Sequence, residues 1–270
     1  MKYFSQNNGS FKLKLVIIFF LSFSCSNNQY SEKINHNNSE NKIIEDFNQP
    51  NSKQLIIVLT KDSSEFTGYL FRYEWHEDRW KQIDDRIDIT VGKNGMAKGL
   101  GEEIDYSPRM DLKIEGDGKS PSGIFTIGDA FGFSKKENVN DLKLNYLQID
   151  SLTRCIEDIQ SSYYNLIVQK DHVENDWKNA DKMRNVSLYE WGFSINHNKA
   201  AVPSRGSCVF FHIWRAPGKY TLGCTAMSKE NILEILKWIN PERNPIVVQY
   251  VYSDYQNLRQ IMNLPDIVLP

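Results

Sequence analysis

Residues 210–227, which read FFHIWRAPGKYTLGCTAM, indicate both the fold and the chemistry of this chain. An apolar strand ends around His212, a loop with Pro and Gly follows, and Cys224 comes directly after Gly223. A thiol becomes a good nucleophile when a nearby imidazole takes its proton, and the same imidazole can later protonate a leaving amine. Gly223 lets a carbonyl approach the backbone, where N–H groups can stabilise an oxyanion. The spacing therefore suggests a nucleophile and base, although strand histidines and buried cysteines are more often core residues.

Short strands are predicted on the N-terminal side of this stretch. Residues 55–59 form an apolar run typical of a buried strand, and residues 87–91 alternate between apolar and polar. Between them, four aromatic residues occupy alternate positions: Tyr69, Phe71, Tyr73 and Trp75. Such a stripe could bind sugars, but it more often faces a core, and we favour core packing. Further short strands are predicted at 124–127 and 192–195.

The clearest helix follows the cysteine, from Ser228 to Asn240. Ser228 can cap it, Glu230 suits its positive end, and Pro241 stops it. A closing strand is predicted at 245–251. We therefore predict a mostly β domain with a few helices, of the α+β class.

Composition bounds the class of protein. The chain has 270 residues, 40% of them hydrophobic, which is enough for one packed domain of roughly 200 residues. Its formal net charge is −2, so no global field points to nucleic acid. No cysteine or histidine cluster has metal-ligand spacing, so we expect no metal cofactor.

The N-terminus resembles an export signal. Lys12 and Lys14 precede an apolar run at 15–23 that ends at Ser24-Cys25. The run is shorter than the about 20 residues that span a bilayer. We predict a signal peptide at 1–24 with Cys25 lipidated, the alternative being ordinary export with Cys25 incidental. The polar residues 25–53 read as a flexible tether, 54–252 as the catalytic domain and 253–270 as a C-terminal extension.

The cysteine count favours a free thiol. If Cys25 is acylated, Cys155, Cys208 and Cys224 remain, and an odd number in an exported protein leaves one unpaired. A disulfide between Cys155 and Cys208 is possible but does not follow from the sequence. Cys208 precedes an apolar strand, and we interpret it as core packing.

Four segments in the same order resemble L,D-transpeptidases with the YkuD-type domain, in their divergent His-x-Trp branch. His-x-Trp-Arg followed by Thr-x-Gly-Cys-x-Ala-Met resembles the active-site stretch. Residues 113–125 match the signature Glu-Gly-Asp-Gly-Lys-Thr-Pro-x-Gly-x-Phe, with 130–133 following as expected. Asn196-His197-Asn198 with Gly206-Ser207 precede the histidine strand, and 236–248 match the closing helix and strand. The similarity covers roughly residues 54–251.

The resemblance implies an L,D-transpeptidase-like β-sandwich domain acting on peptidoglycan stem peptides without a cofactor, nucleotide or nucleic acid. Cys224 is then the nucleophile, His212 the base and then the acid, and Gly223 with Cys224 the oxyanion backbone. A thioester forms at the third stem residue, releases a terminal D-residue, and passes to an amine or to water. The protein is expected in the cell envelope, attached to a membrane by its lipid.

The chain also departs from the majority motif. Thr221-Leu222 replaces Ser-His, and Ala226 occupies the position of an arginine. Arg215 could grip a donor carboxylate instead, or be a solvated loop residue. Further predicted substrate contacts are Trp214, Thr221, Thr225 and Lys119. The alternatives are a hydrolase with the same fold and a non-catalytic wall-binding lipoprotein.

Overall fold

A computed structural model describes residues 51–102 and 110–270. The described part of the chain contains thirteen strands, two α-helices and four short 3-10 helices, at Lys136–Asn138, Met183–Asn185, Ser187–Glu190 and Pro241–Arg243. The strands are β1 (Gln54–Thr60), β2 (Thr67–His76), β3 (Arg79–Thr90), β4 (Met96–Lys98), β5 (Ser120–Gly132), β6 (Tyr146–Gln148), β7 (Thr153–Ile156), β8 (Ile167–Gln169), β9 (Ala180–Lys182), β10 (Trp191–Ile195), β11 (Phe210–Ile213), β12 (Thr225–Met227) and β13 (Ile246–Val251). The helices are α1 (Lys229–Trp238) and α2 (Tyr252–Met262). The prediction of a mostly β domain with few helices is confirmed.

Ten strands form one large sheet in the order β10-β11-β12-β3-β2-β1-β13-β5-β4, with β6 beside β5. The long strand β5 changes partner along its length, pairing with β13 through residues 123–126 and with β10 through residues 127–132. Because β10 also pairs with β11, the order of paired strands closes on itself, and β5 joins the two layers of the sheet. β8, β7 and β9 form a separate small sheet.

Two apolar cores cover the opposite faces of β1 and β13. Alternate residues such as Ile56 and Val58 face a core that α1 completes with Ile235 and Leu236. Leu55 and its alternate neighbours face a second core together with the aromatic residues of β2 and residues of α2: Phe71, Tyr73, Tyr255, Leu258 and Met262. The prediction that the aromatic stripe serves as core is therefore confirmed for its central members.

The helices differ in how well the sequence predicted them. Ser228 caps α1 as predicted, its hydroxyl accepting the Asn231 N–H at 3.2 Å, although the helix ends at Trp238, before Asn240. Residues 253–270 carried no predicted element, yet α2 covers 252–262 and is buried on one side against the second core. No helix of the described residues is both long and apolar enough to cross a bilayer. The predicted signal peptide, Cys25 and nearly all of the tether lie outside the described residues.

Candidate active site

His212 and Cys224 lie on two neighbouring parallel strands. β11 pairs with β12 so that His212 is opposite Ala226, and Cys224 directly precedes β12. The Phe210 N–H donates to the Cys224 Sγ at 3.4 Å. Phe210 and His212 share one face of β11, and the Tyr189 ring contacts both, with centroids 5.6 Å and 5.3 Å away. Cys224 packs against the cluster that contains Tyr189 and Phe210, so Tyr189 lies near both the predicted nucleophile and the predicted base.

The imidazole of His212 is held in a defined tautomer. Its Nδ1 lies 2.7 Å from the carbonyl oxygen of Ile213, which can only accept, so Nδ1 carries the proton. The other nitrogen, Nε2, is then the proton acceptor. Burial lowers the pKa of His212 to about 4, so the ring is neutral at neutral pH. This is the form that a general base requires.

The thiol of Cys224 is also neutral at rest. Burial raises its pKa to about 12; the Phe210 N–H opposes this, and the carboxylates of Asp181 and Glu157 add to it. The thiol contacts the Cys208 carbonyl oxygen at 3.6 Å. An activated cysteine usually has a depressed pKa and is a thiolate before it reacts. The structure shows the opposite for Cys224, a thiol with a raised pKa.

A disulfide resolves the pairing that the sequence left open. Cys155 of β7 and Cys208, just before β11, are bonded, with their Cα atoms 6.0 Å apart. Cys208 is therefore more than core packing, because it ties the small sheet to the strand that carries His212. Among the described residues Cys224 is the free cysteine, in line with the cysteine count.

The loop from Thr221 to Cys224 is held by its own hydrogen bonds. The Thr221 hydroxyl donates to the Cys224 carbonyl oxygen at 2.6 Å and accepts the Gly223 N–H at 3.1 Å. Thr221 thus shapes the loop, where the sequence suggested a substrate contact. Because the Gly223 N–H is already engaged by Thr221, the role of Gly223 in stabilising an oxyanion stays a prediction.

The other predicted substrate contacts fall into two groups. Thr225 is buried, and its hydroxyl donates to the Gln249 side chain at 2.7 Å. It therefore stabilises the strand that follows Cys224 and is not placed to contact a substrate. Arg215 is exposed, and Trp214 and Lys119 are half-buried. These three remain candidates for contact with a substrate.

Sequence reasoning missed two buried residues beside the cysteine loop. The Ser120 hydroxyl donates to the Gly223 carbonyl oxygen at 2.7 Å. The Lys113 ammonium, with 5% of its side chain exposed, pairs with Asp117 at 2.6 Å and lies 3.9 Å from where a Cβ on Gly223 would be. Both lie in the matched segment 113–125, from which only Lys119 was selected. The sequence marked the segment, but it does not show which way the side chains of Ser120 and Lys113 point.

Carboxylates lie on the side of the small sheet. Burial raises the pKa of Asp181, to which Tyr189 is hydrogen-bonded, and raises that of Glu157 to about 7. Glu115 accepts from the Tyr164 hydroxyl and from the Ser207 hydroxyl. In residues 51–102 and 110–270, no three or more His, Cys, Asp or Glu side chains are grouped to hold a metal ion. A cavity of about 640 Å³ lies elsewhere, with Ser52, Ile124 and Pro245 in its lining.

Taken together, the fold and the site define the class as a curved β domain with a buried histidine on one strand and a free cysteine, following glycine, at the start of the neighbouring strand. Comparison with known proteins places the chain in a family within that class. The model of the L,D-transpeptidase catalytic domain, YkuD, matches residues 55–248, so the chain belongs to this family. No curated protein matches the chain.

Three solved structures resemble the chain at low identity. The helical cell shape determining protein Pgp2 of Campylobacter jejuni is 15% identical, with 78% of this chain and 55% of that chain covered and a TM-score of 0.33. Its K307A mutant is 15% identical over 83% and 60%, with a TM-score of 0.37. Bdellovibrio bacteriovorus Bd1075 is 14% identical over 78% and 56%, with a TM-score of 0.35. The chain spans a little over half the length of these proteins.

Proposed function

We propose that this protein is a peptidoglycan L,D-transpeptidase that forms a thioester between Cys224 and a stem peptide. One observation carries the proposal: the Cys224 sulfur accepts a hydrogen bond from the Phe210 N–H, and His212 lies two residues further along the same strand, β11. The Ile213 carbonyl oxygen sets the His212 tautomer that can accept a proton. Membership of the family supports the choice of wall peptides as substrate.

In the acylation step the Cys224 thiol proton passes to His212 Nε2 while the sulfur attacks the carbonyl carbon. The C=O electron pair moves to oxygen, giving a tetrahedral oxyanion near the Cys224 N–H. When the oxyanion collapses, the C–N bond breaks and the imidazolium returns its proton to the leaving amine. The product is a thioester on Cys224 and a released D-residue. Since both groups start neutral, proton transfer accompanies attack.

In the second step the thioester acyl group passes to an acceptor. An amine of another stem gives a cross-link or an exchanged residue, and water gives hydrolysis. In either case the thioester C–S bond breaks, the acceptor proton passes through His212, and the thiol is regenerated. The energy comes from the original peptide bond, so no nucleotide is needed. We assign transfer as the main reaction, in line with the family description.

We further propose that the protein acts from a membrane anchor. Export through residues 1–24, lipidation at Cys25 and a polar tether would hold the domain in the cell envelope within reach of the wall. Metabolic labelling with a fatty-acid analogue tests this. Label on the wild type and none on Cys25→Ala is expected, and equal labelling of both would contradict it.

The activity is tested by incubating purified protein and its Cys224→Ala variant with tetrapeptide muropeptides. Dimers or exchanged D-amino acids formed by the wild type alone are expected. Tripeptide as the only product would assign hydrolysis instead. No turnover by the wild type, with equal sedimentation of both proteins with wall sacculi, would assign a non-catalytic wall-binding role.

A further inference from the structure

The hydroxyl of Ser120 lies fully buried next to the cysteine loop, at the first position of β5. It accepts the Gly92 N–H at 2.9 Å, and its oxygen is 2.7 Å from the Gly223 carbonyl oxygen and 3.0 Å from that of Cys224. A carbonyl oxygen can only accept, and the Gly92 N–H can only donate. The single hydroxyl proton therefore points at the two carbonyl oxygens, chiefly at that of Gly223.

This bond fixes the peptide group that joins Gly223 to Cys224. A trans peptide is planar, so its C=O and its N–H point in opposite directions. With the Gly223 C=O held toward Ser120, the Cys224 N–H must point away from Ser120. Thr221 holds the Gly223 N–H and the Cys224 C=O. The Cys224 N–H is left as the donor available to a developing charge.

We propose that Ser120 is a positioning residue that aims the Cys224 N–H at the oxyanion of the acylation step. It touches no reacting atom, and its effect passes through the Gly223–Cys224 peptide plane. This inference rests on the proposed function, since an oxyanion forms only when the thiol attacks a carbonyl. Preorganised donors act most strongly where charge develops, and a lost donor commonly lowers the rate by about 10²- to 10³-fold.

The support around Ser120 is rigid. Its own N–H donates to the Gly95 carbonyl oxygen at 2.9 Å, and Gly92 forms a bridge with Thr221. The Lys119 carbonyl oxygen lies 3.2 Å from where a Cβ on Gly223 would be, so a side chain there would crowd this support. Ser120 thus connects the turn at residues 92–95 to the loop that carries the nucleophile.

The test compares two reactions of the same sulfur in the full-length protein. In acylation by a carbapenem the sulfur attacks a carbonyl carbon, and an oxyanion forms. In alkylation by iodoacetamide the sulfur displaces iodide, and no oxyanion forms. For Ser120→Ala we expect acylation to slow about 30- to 100-fold and alkylation to change by less than about 3-fold. Ser120→Thr, which keeps the hydroxyl and is the residue of the matched signature, should retain both rates within about 3-fold. Intact mass and peptide mapping assign each adduct to Cys224.

The outcomes separate this inference from the proposed function. Equal acylation of wild type and Ser120→Ala, or a loss of both reactions together in a folded Ser120→Ala, overturns the positioning role. A wild type that alkylates but is acylated by neither the carbapenem nor a muropeptide overturns the proposed function, and this inference with it. If Ser120→Ala does not fold, Ser120→Cys replaces it, because it keeps the volume but donates weakly.

Discussion

The Cys224 sulfur accepts a hydrogen bond from the backbone N–H of Phe210, at 3.4 Å. This bond connects the proposed nucleophile to the strand that carries the proposed base, because His212 is two residues further along β11. The arrangement depends on parallel pairing of β11 with β12, which brings residues from the two ends of a long loop side by side. A shift of one residue in this register would turn His212 to the opposite face.

The first prediction concerns the base. His212→Asn should lower carbapenem acylation of Cys224 by about 10²- to 10⁴-fold, because no group remains to take the thiol proton. Stopped-flow or intact-mass kinetics measure the rate. Exposed His172 provides the matched control, since His172→Asn should leave the rate unchanged. Acylation of the two variants at the same rate would remove His212 from the reaction.

The second prediction is the pH dependence of Cys224 alkylation. With the thiol pKa raised to about 12, the thiolate fraction grows tenfold per pH unit, so the iodoacetamide rate should rise without a plateau up to pH 10. The alkylation rate of free cysteine, whose thiol pKa is about 8.5, should reach its plateau at a lower pH, and free cysteine is the control. A plateau near pH 7 would mean that an ionised thiolate exists at rest after all.

The third prediction concerns the disulfide. Replacing both Cys155 and Cys208 by Ser should lower the free energy of unfolding by about 4 kcal/mol, from the loop entropy of the 53-residue separation. Urea denaturation measures it. Wild type in reducing agent should show the same loss, whereas the double variant should not respond to reductant. Equal stability of oxidised and reduced wild type would contradict the assigned role.

The fourth prediction is acid sensitivity of the fold. Burial lowers the pKa of both His212 and His197 from 6.5 to about 4. Well above about pH 6.5 both imidazoles are neutral in the folded and in the unfolded chain. As the pH falls toward 4 the unfolded chain binds protons first, so stability decreases by about 3 kcal/mol per histidine and levels off below pH 4.

Urea midpoints between pH 4 and pH 8 measure this slope. His197→Asn should be less stable but should show a shallower slope than wild type. Glu157, whose pKa burial raises to about 7, acts in the opposite direction over the same range, because a raised carboxyl pKa adds stability as the pH falls. Glu157→Gln therefore serves as the correction. A flat profile in wild type and variants would contradict the prediction.

The fifth prediction separates two residues that the sequence treated alike. Thr225→Val should reduce stability by about 1–3 kcal/mol because the Gln249 amide loses a buried partner. Arg215→Ala should leave the melting temperature unchanged and raise KM for the donor peptide several-fold. Melting curves and steady-state kinetics measure the two effects. A KM effect from Thr225→Val without a stability loss would return it to the substrate surface.

Local patterns explain which elements were predictable. The buried strand β1 is a continuous apolar run, and the helix α1 has a periodic apolar face with Ser228 as its cap; both form close to the predicted positions. Helix α2 was not predicted, although Tyr255, Leu258 and Met262 recur at the three- to four-residue spacing of one helix face. Three apolar residues in a mostly polar segment do not by themselves show that the segment packs against a core, and the second core that buries them forms only in the folded domain. Ser120 was missed for a similar reason, since a serine in a turn segment shows no sign of which carbonyl it will meet.

The amino-acid sequence alone determined the family and the mostly β class, and it supplied the candidate pair Cys224 and His212, because ordered motifs and short-range periodicity lie along the chain. Tertiary structure alone decided the Cys155–Cys208 bond, the inward direction of Thr225 and the neutral state of the thiol and imidazole. These properties depend on desolvation and on contacts between segments far apart in the chain, and both exist only once the sheet has closed.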